Sequence, residues 1–115
     1  MRTPEWVPPG DQYCHIDNDS WGVVRLFELS KNLPVMEIPL EHLNMYYHYE
    51  DLSLREMVMH FKAVEAADLS KPIILDEDGA LMDGRHRIMK ALMVGAKTIK
   101  AVRFPVNPEP CNSND

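Results

Sequence analysis

Residues 71–104 leave the chain few conformational options. "KPIILDEDGALMDG" reads as a strand, an acidic turn and a second strand. The apolar run Ile73–Leu75 comes first, then turn-forming residues 76–79, then residues 80–82. Two short β-prone runs separated by Asp- and Gly-rich sequence mark a hairpin. A helix follows from near residue 84 and stops at Gly95, a residue suited to the left-handed turn that ends helices. "KTIKAVRF" (97–104) then places Ile99, Ala101 or Val102, and Phe104 in the alternation of a final strand.

The preceding segments extend this into a compact α+β pattern. "LSLREMVMHFKAVEAA" (52–67) is helical: Ser53 and Glu56 have the spacing of a capping box. Leu54, Met57, Val58, Phe61 and Val64 make its expected apolar stripe. "PVMEIPL" (34–40) reads as a strand with an edge-type Pro39. "WGVVRLFELS" (21–30) fits a strand or a short helix, because its apolar positions follow neither period cleanly. Residues 1–20, rich in Pro, Asp, Asn and Gly, are expected to be an extended arm or long loop, and Trp6 and Trp21 imply that it packs on its own domain or on a partner. Residues 21–106 are the expected domain, and residues 107–115, with their prolines, a mobile tail.

A chain of 115 residues supports one domain with a modest core. Its formal net charge of −6 opposes the phosphate contacts that broad duplex DNA binding requires. No apolar run approaches the ~20 residues of a membrane span, and the N-terminal stretch lacks the apolar centre of a secretion signal. The cytoplasm is the expected compartment. Cys14 and Cys111 form neither a close-spaced redox pair nor a metal knuckle and are read as incidental reduced thiols. His42, His48, His60 and His86 lack ligand spacing, so no transition-metal site is expected.

The stretch "LMDGRHRIMKAL" (81–92) carries an electrostatic oddity. Its helix opens with Arg85, His86 and Arg87, although the start of a helix is already the positive end of its dipole. Backbone N–H groups there, with arginine forks and an imidazole donor, suit a bound anion, above all phosphate. Gly84 would let the backbone approach such a ligand closely. A structural alternative stands beside this: Asp83 caps the helix, and the arginines pair with Asp76, Glu77 or Asp78.

In its order of elements, from "IPL" through the "PIIL" strand to the D-G-x-H-R box and Gly95, the chain resembles the ParB/sulfiredoxin-like superfamily over residues 35–104. The resemblance implies a small α+β domain, a mixed sheet flanked by helices, with a nucleotide held at the box. The ligand in such proteins is ATP in sulfiredoxins, CTP in chromosome-partitioning ParB proteins and ADP in free-serine kinases, the branch whose box is most similar. By position it implies Gly84, His86 and Arg87 as ligand-binding, with Asp83 and Arg85 as the variable members of the box. The chain departs from sulfiredoxins in placing Arg85 where they carry the reactive cysteine, so sulfinic acid reduction is not expected. A helix-turn-helix region of the ParB kind is not expected after residue 104.

The expected function is therefore a phosphate- or nucleotide-binding protein, in catalytic form a small phosphotransferase or nucleotide hydrolase. Asp83 or Glu50 would hold Mg²⁺ or accept a proton. Glu50 lies within the tyrosine-rich "NMYYHYED" (44–51), which reads either as a ligand wall or as a loop anchored by its rings. On the central helix, Arg55 and His60 are further ligand candidates on a polar face that also reads as merely solvated. The competing class is a non-enzymatic interaction or regulatory module that keeps the fold and meets a protein partner, or a second copy, through the N-terminal arm.

Overall fold

A computed structural model describes residues 13–16, 19–44 and 51–113. Strand β4 (Ile73–Leu75), buried at all three positions, lies inside a four-stranded mixed sheet. Its neighbours are β5 (Leu81–Asp83), antiparallel, and β6 (Thr98–Arg103), parallel. Beyond β6 lies β3 (Met36–Pro39), antiparallel, giving the order β3-β6-β4-β5. A parallel pair needs a crossover, here the hairpin to β5 followed by helix α3 (Arg85–Met93). The turn between β4 and β5 is closed by Asp76, whose buried carboxylate accepts the N–H groups of Asp78 and Ala80, each at 2.8 Å.

Side chains alternate across a strand, and here they divide the core in two. Ile73, Leu75, Ile99 and Ala101 pack with Ile88 and Ala91 of α3 and with Leu40. Ile74, Met82 and Val102 face the other way, onto Cys14, Trp21, Leu26 and Phe104. Leu26 belongs to α1 (Val23–Ser30), so the ambiguous stretch 21–30 is the end of a strand followed by a helix.

The second cluster corrects the expectation of an irregular arm. Strands β1 (Tyr13–Ile16) and β2 (Asp19–Gly22) form an antiparallel hairpin whose Cys14 and Trp21 are part of the core. The rest of the arm lies outside the described residues. The C-terminal segment, expected as a tail, is paired with this hairpin as far as it is described. Strand β7 (Asn112–Ser113) pairs with β2, Trp21 Nε1 donates to the Pro108 carbonyl at 2.9 Å, and Cys111 N donates to Ser20 O at 2.8 Å. Tryptophan explains both corrections: burying its ring requires a partner for its N–H, and the C-terminal segment supplies the carbonyl.

Helix α2 (Leu54–Ala66) has the expected capping box between Ser53 and Glu56. Its expected apolar stripe is not its buried face. Leu54, Met57, Val58 and Phe61 are exposed, and only Val64 of that stripe is buried. The helix is held instead by polar contacts to α3: His60 meets His86, and Lys90 Nζ donates to the carbonyls of Glu65 and Ala67, both at 2.8 Å. An ammonium at the last carbonyls of α2 satisfies groups that a helix end leaves unpaired. Among the described residues no helix is long and apolar enough to cross a membrane.

Candidate functional site

The box lines one wall of a cavity of about 450 Å³. Residues 83–87 meet Cys14 and His15 of β1, Val23 of α1, and Ala63 and Ala67 at the α2 end. The cavity therefore lies where the hairpin, α2 and the start of α3 converge.

Gly84 is fixed by two constraints, neither of them a ligand. Its φ is +121°, a conformation that side-chain-bearing residues rarely adopt. A Cβ at this position would also lie 2.4 Å from Ile73 Cγ2 and 2.8 Å from Ile73 Cβ. The glycine lets the start of α3 close onto β4, a packing reason for it that stands beside the expected one of room for a bound molecule.

Asp83 and Arg87 pair with each other. Arg87 Nη2 donates to Asp83 Oδ2 at 2.7 Å, with the side chains 14% and 16% exposed. The other guanidinium nitrogen, Nη1, donates to the Pro72 carbonyl. Arg87 thus ties α3 to the strand before it and to the residue that precedes β4. This answers half of the oddity in the first turn: one of its cations is part of the frame. It also revises the structural alternatives for Asp83 and Arg87. Gly84, not Asp83, occupies the capping position, and Arg87 pairs with Asp83, while the Asp76 carboxylate is taken by its own turn.

Arg85 and His86 remain on the cavity wall, at a helix start with no acidic residue in its first turn and no side chain at its cap. His60 Nδ1 lies 2.9 Å from His86 Nε2, so the structure joins two candidates 26 residues apart. Burial, then the Arg85 charge, then His60, push the His86 pKa below the usual imidazole value; Asp83 opposes them and Arg87 adds to them. Arg55, exposed on α2, is not part of the cavity wall. Glu50 and the tyrosines 46, 47 and 49 lie outside the described residues.

Two titratable side chains on the cavity wall, Cys14 and His15, lie outside the set of sequence candidates. The clue was available: "YCHI" and "DSWG" flank the turn-forming pair Asp17 and Asn18, the spacing of a hairpin. Burial, then Asp76 and Asp83, raise the Cys14 pKa to about 11, which disfavours its thiolate. Among the described residues no three His, Cys, Asp or Glu side chains are grouped to hold a metal ion.

No family model, curated protein or solved structure matches this chain.

Proposed function

We propose that the protein binds a small phosphate-bearing ligand, a nucleotide such as ATP, ADP or CTP, in the cavity at the start of α3. The observation that carries this reading is the presence of Arg85 and His86 on the cavity wall, at a helix start that has no acid in its first turn. A helix start of this kind attracts anions through its dipole and its backbone N–H groups. A volume of about 450 Å³ lies within the usual range for small-molecule sites. The resemblance of residues 35–104 to ParB/sulfiredoxin-like proteins favours a nucleotide over a bare anion and a cytoplasmic setting for it.

Binding is better supported than turnover. Of the two carboxylates considered for Mg²⁺ or proton transfer, Asp83 is engaged by Arg87, and Glu50 lies outside the described residues. The phosphates would be met by Arg85, His86 and first-turn N–H groups, with Arg87 holding the turn in shape. Thermal-shift measurement against ATP, ADP, CTP and sulfate, with and without Mg²⁺, tests the reading, because a ligand that binds only the folded state raises the melting temperature. A selective shift that Arg85→Ala removes supports it; no shift with any of the four contradicts it.

One observation favours the second class, a non-enzymatic interaction module. Leu54, Met57, Val58 and Phe61 of α2 are 80%, 39%, 47% and 58% exposed, at the i, i+3, i+4, i+7 spacing that puts them on one helix face. The surface for a protein partner or a second copy would then be α2 rather than the N-terminal arm. Concentration-dependent association that Phe61→Asp abolishes, without any nucleotide shift, would decide for that class.

A further inference from the structure

The contact between His60 and His86 has a strict protonation requirement. The two nitrogens, Nδ1 and Nε2, are 2.9 Å apart, and the ring centroids are 5.2 Å apart with the planes tilted by 39°. An imidazole nitrogen carries either a hydrogen or a lone pair. At this separation one hydrogen must lie between the two atoms. Two bare lone pairs repel, and two N–H groups cannot approach so closely. A neutral pair and a singly charged pair both satisfy the requirement; a doubly charged pair cannot.

The groups around the pair weigh against the second charge. Arg85 and Arg87 flank His86 on α3. Lys90, one turn further along, places its ammonium against the last carbonyls of α2. Asp83 of β5 is the acid that favours a charged His86, and it is shared with Arg87 at 2.7 Å. On α2, Glu56 lies one turn before His60 but is held in the capping box. On β1, His15 faces the same cavity as His86.

We infer that His60 and His86 form a proton-operated latch between α2 and α3, closed by one shared hydrogen and opened when a second proton makes both rings cationic. Opening would free the middle of α2 from α3 and add positive charge beside the cavity. A metal ion is the other occupant that two converging imidazoles could share. It is disfavoured by the neighbouring arginines and by the lack of a third ligand among the described residues. The latch rests on the contact alone; its effect on ligands rests on the anion-binding reading.

The test is a pH titration of the histidine ring resonances, with amide exchange along α2, for the native protein and His60→Phe. In the native protein the two rings should titrate in two coupled steps, and protection of α2 beyond intrinsic exchange should fall with the second. In His60→Phe, His86 should titrate in one step, at a higher pH than the second native step. If the native rings titrate independently and His86 is unmoved by His60→Phe, the latch is overturned. Saturable uptake of one equivalent of Zn²⁺ by both rings would overturn it too, in favour of a metal site. Sulfate, fully ionised throughout, separates the two readings. Coupled steps without sulfate binding support the latch while contradicting the anion site; sulfate binding with uncoupled rings does the reverse.

Discussion

Arg87 Nη2 in the first turn of α3 and Asp83 Oδ2 at the end of β5 meet at 2.7 Å, both side chains largely out of solvent. The same guanidinium reaches the Pro72 carbonyl, so a residue that sequence alone offers to a phosphate is built into the frame. Arg87→Ala should therefore cost stability, by about 1.5–3 kcal/mol, the range for hydrogen bonds to charged groups. Urea unfolding measures it; an unchanged midpoint would return Arg87 to the list of ligand contacts.

Gly84→Ala should destabilise more than Gly79→Ala. Both glycines have positive φ, +121° and +84°, and an L residue in the left-handed region costs roughly 1–2 kcal/mol. Nothing lies within 4 Å of a Cβ at residue 79, whereas at residue 84 it would overlap Ile73. Overpacking adds typically about 1–3 kcal/mol. Equal losses at the two positions would show that β4 gives way without cost.

Much of this was legible in the sequence, for identifiable reasons. The hairpin of residues 73–83, α3 and β6 follow from apolar periodicity punctuated by glycine, and periodicity is local information. The capping box of Ser53 and Glu56 is local as well. What escaped depends on distant partners. The face that α2 presents to α3 is set by Lys90 and by His86, more than 20 residues away in sequence. The β1–β2 hairpin was obscured by its Asp- and Asn-rich surroundings, although the Trp21 ring needed a core. At the site, spacing offers Arg87 and Gly84 to a ligand, and only tertiary contact reveals Asp83, Pro72 and Ile73 as neighbours that these two residues also have.

Stability should decline as the pH falls below about 6.5. The folded-state pKa of His86 is depressed from its usual 6.5, chiefly by burial. The unfolded chain then binds more protons than the native one, and stability rises with pH across that interval. The contribution is complete above the unfolded value and disappears as the pH drops through the folded one. Unfolding free energies at pH 7.5, 6.5 and 5.5, compared with those of His86→Gln, check it; parallel curves for the two proteins would refute it.

The two cysteines should differ sharply in reactivity. Both are free, but Cys14 is buried with a pKa of about 11, whereas Cys111 is partly exposed. The thiolate is the reactive form, so a disulfide reagent at pH 8 should label Cys111 rapidly and Cys14 only on unfolding. For the same reason, and because Arg85 precedes His86 in the box, the protein should not reduce a cysteine sulfinic acid. Rapid labelling of Cys14 in the native state would contradict the first expectation, and repair of a hyperoxidised peroxiredoxin the second.

The most direct measurement of the central claim is a titration of the isotopically labelled protein with sulfate and with ADP, following backbone amide resonances. A ligand held at the start of α3 should shift the amides of residues 84–87 most, with saturation. Arg85→Ala should weaken binding about tenfold or more, as expected for loss of a charge-assisted contact, with the fold unchanged. If saturating ADP leaves those amides in place, or shifts them equally in Arg85→Ala, the cavity at the start of α3 is not an anion site.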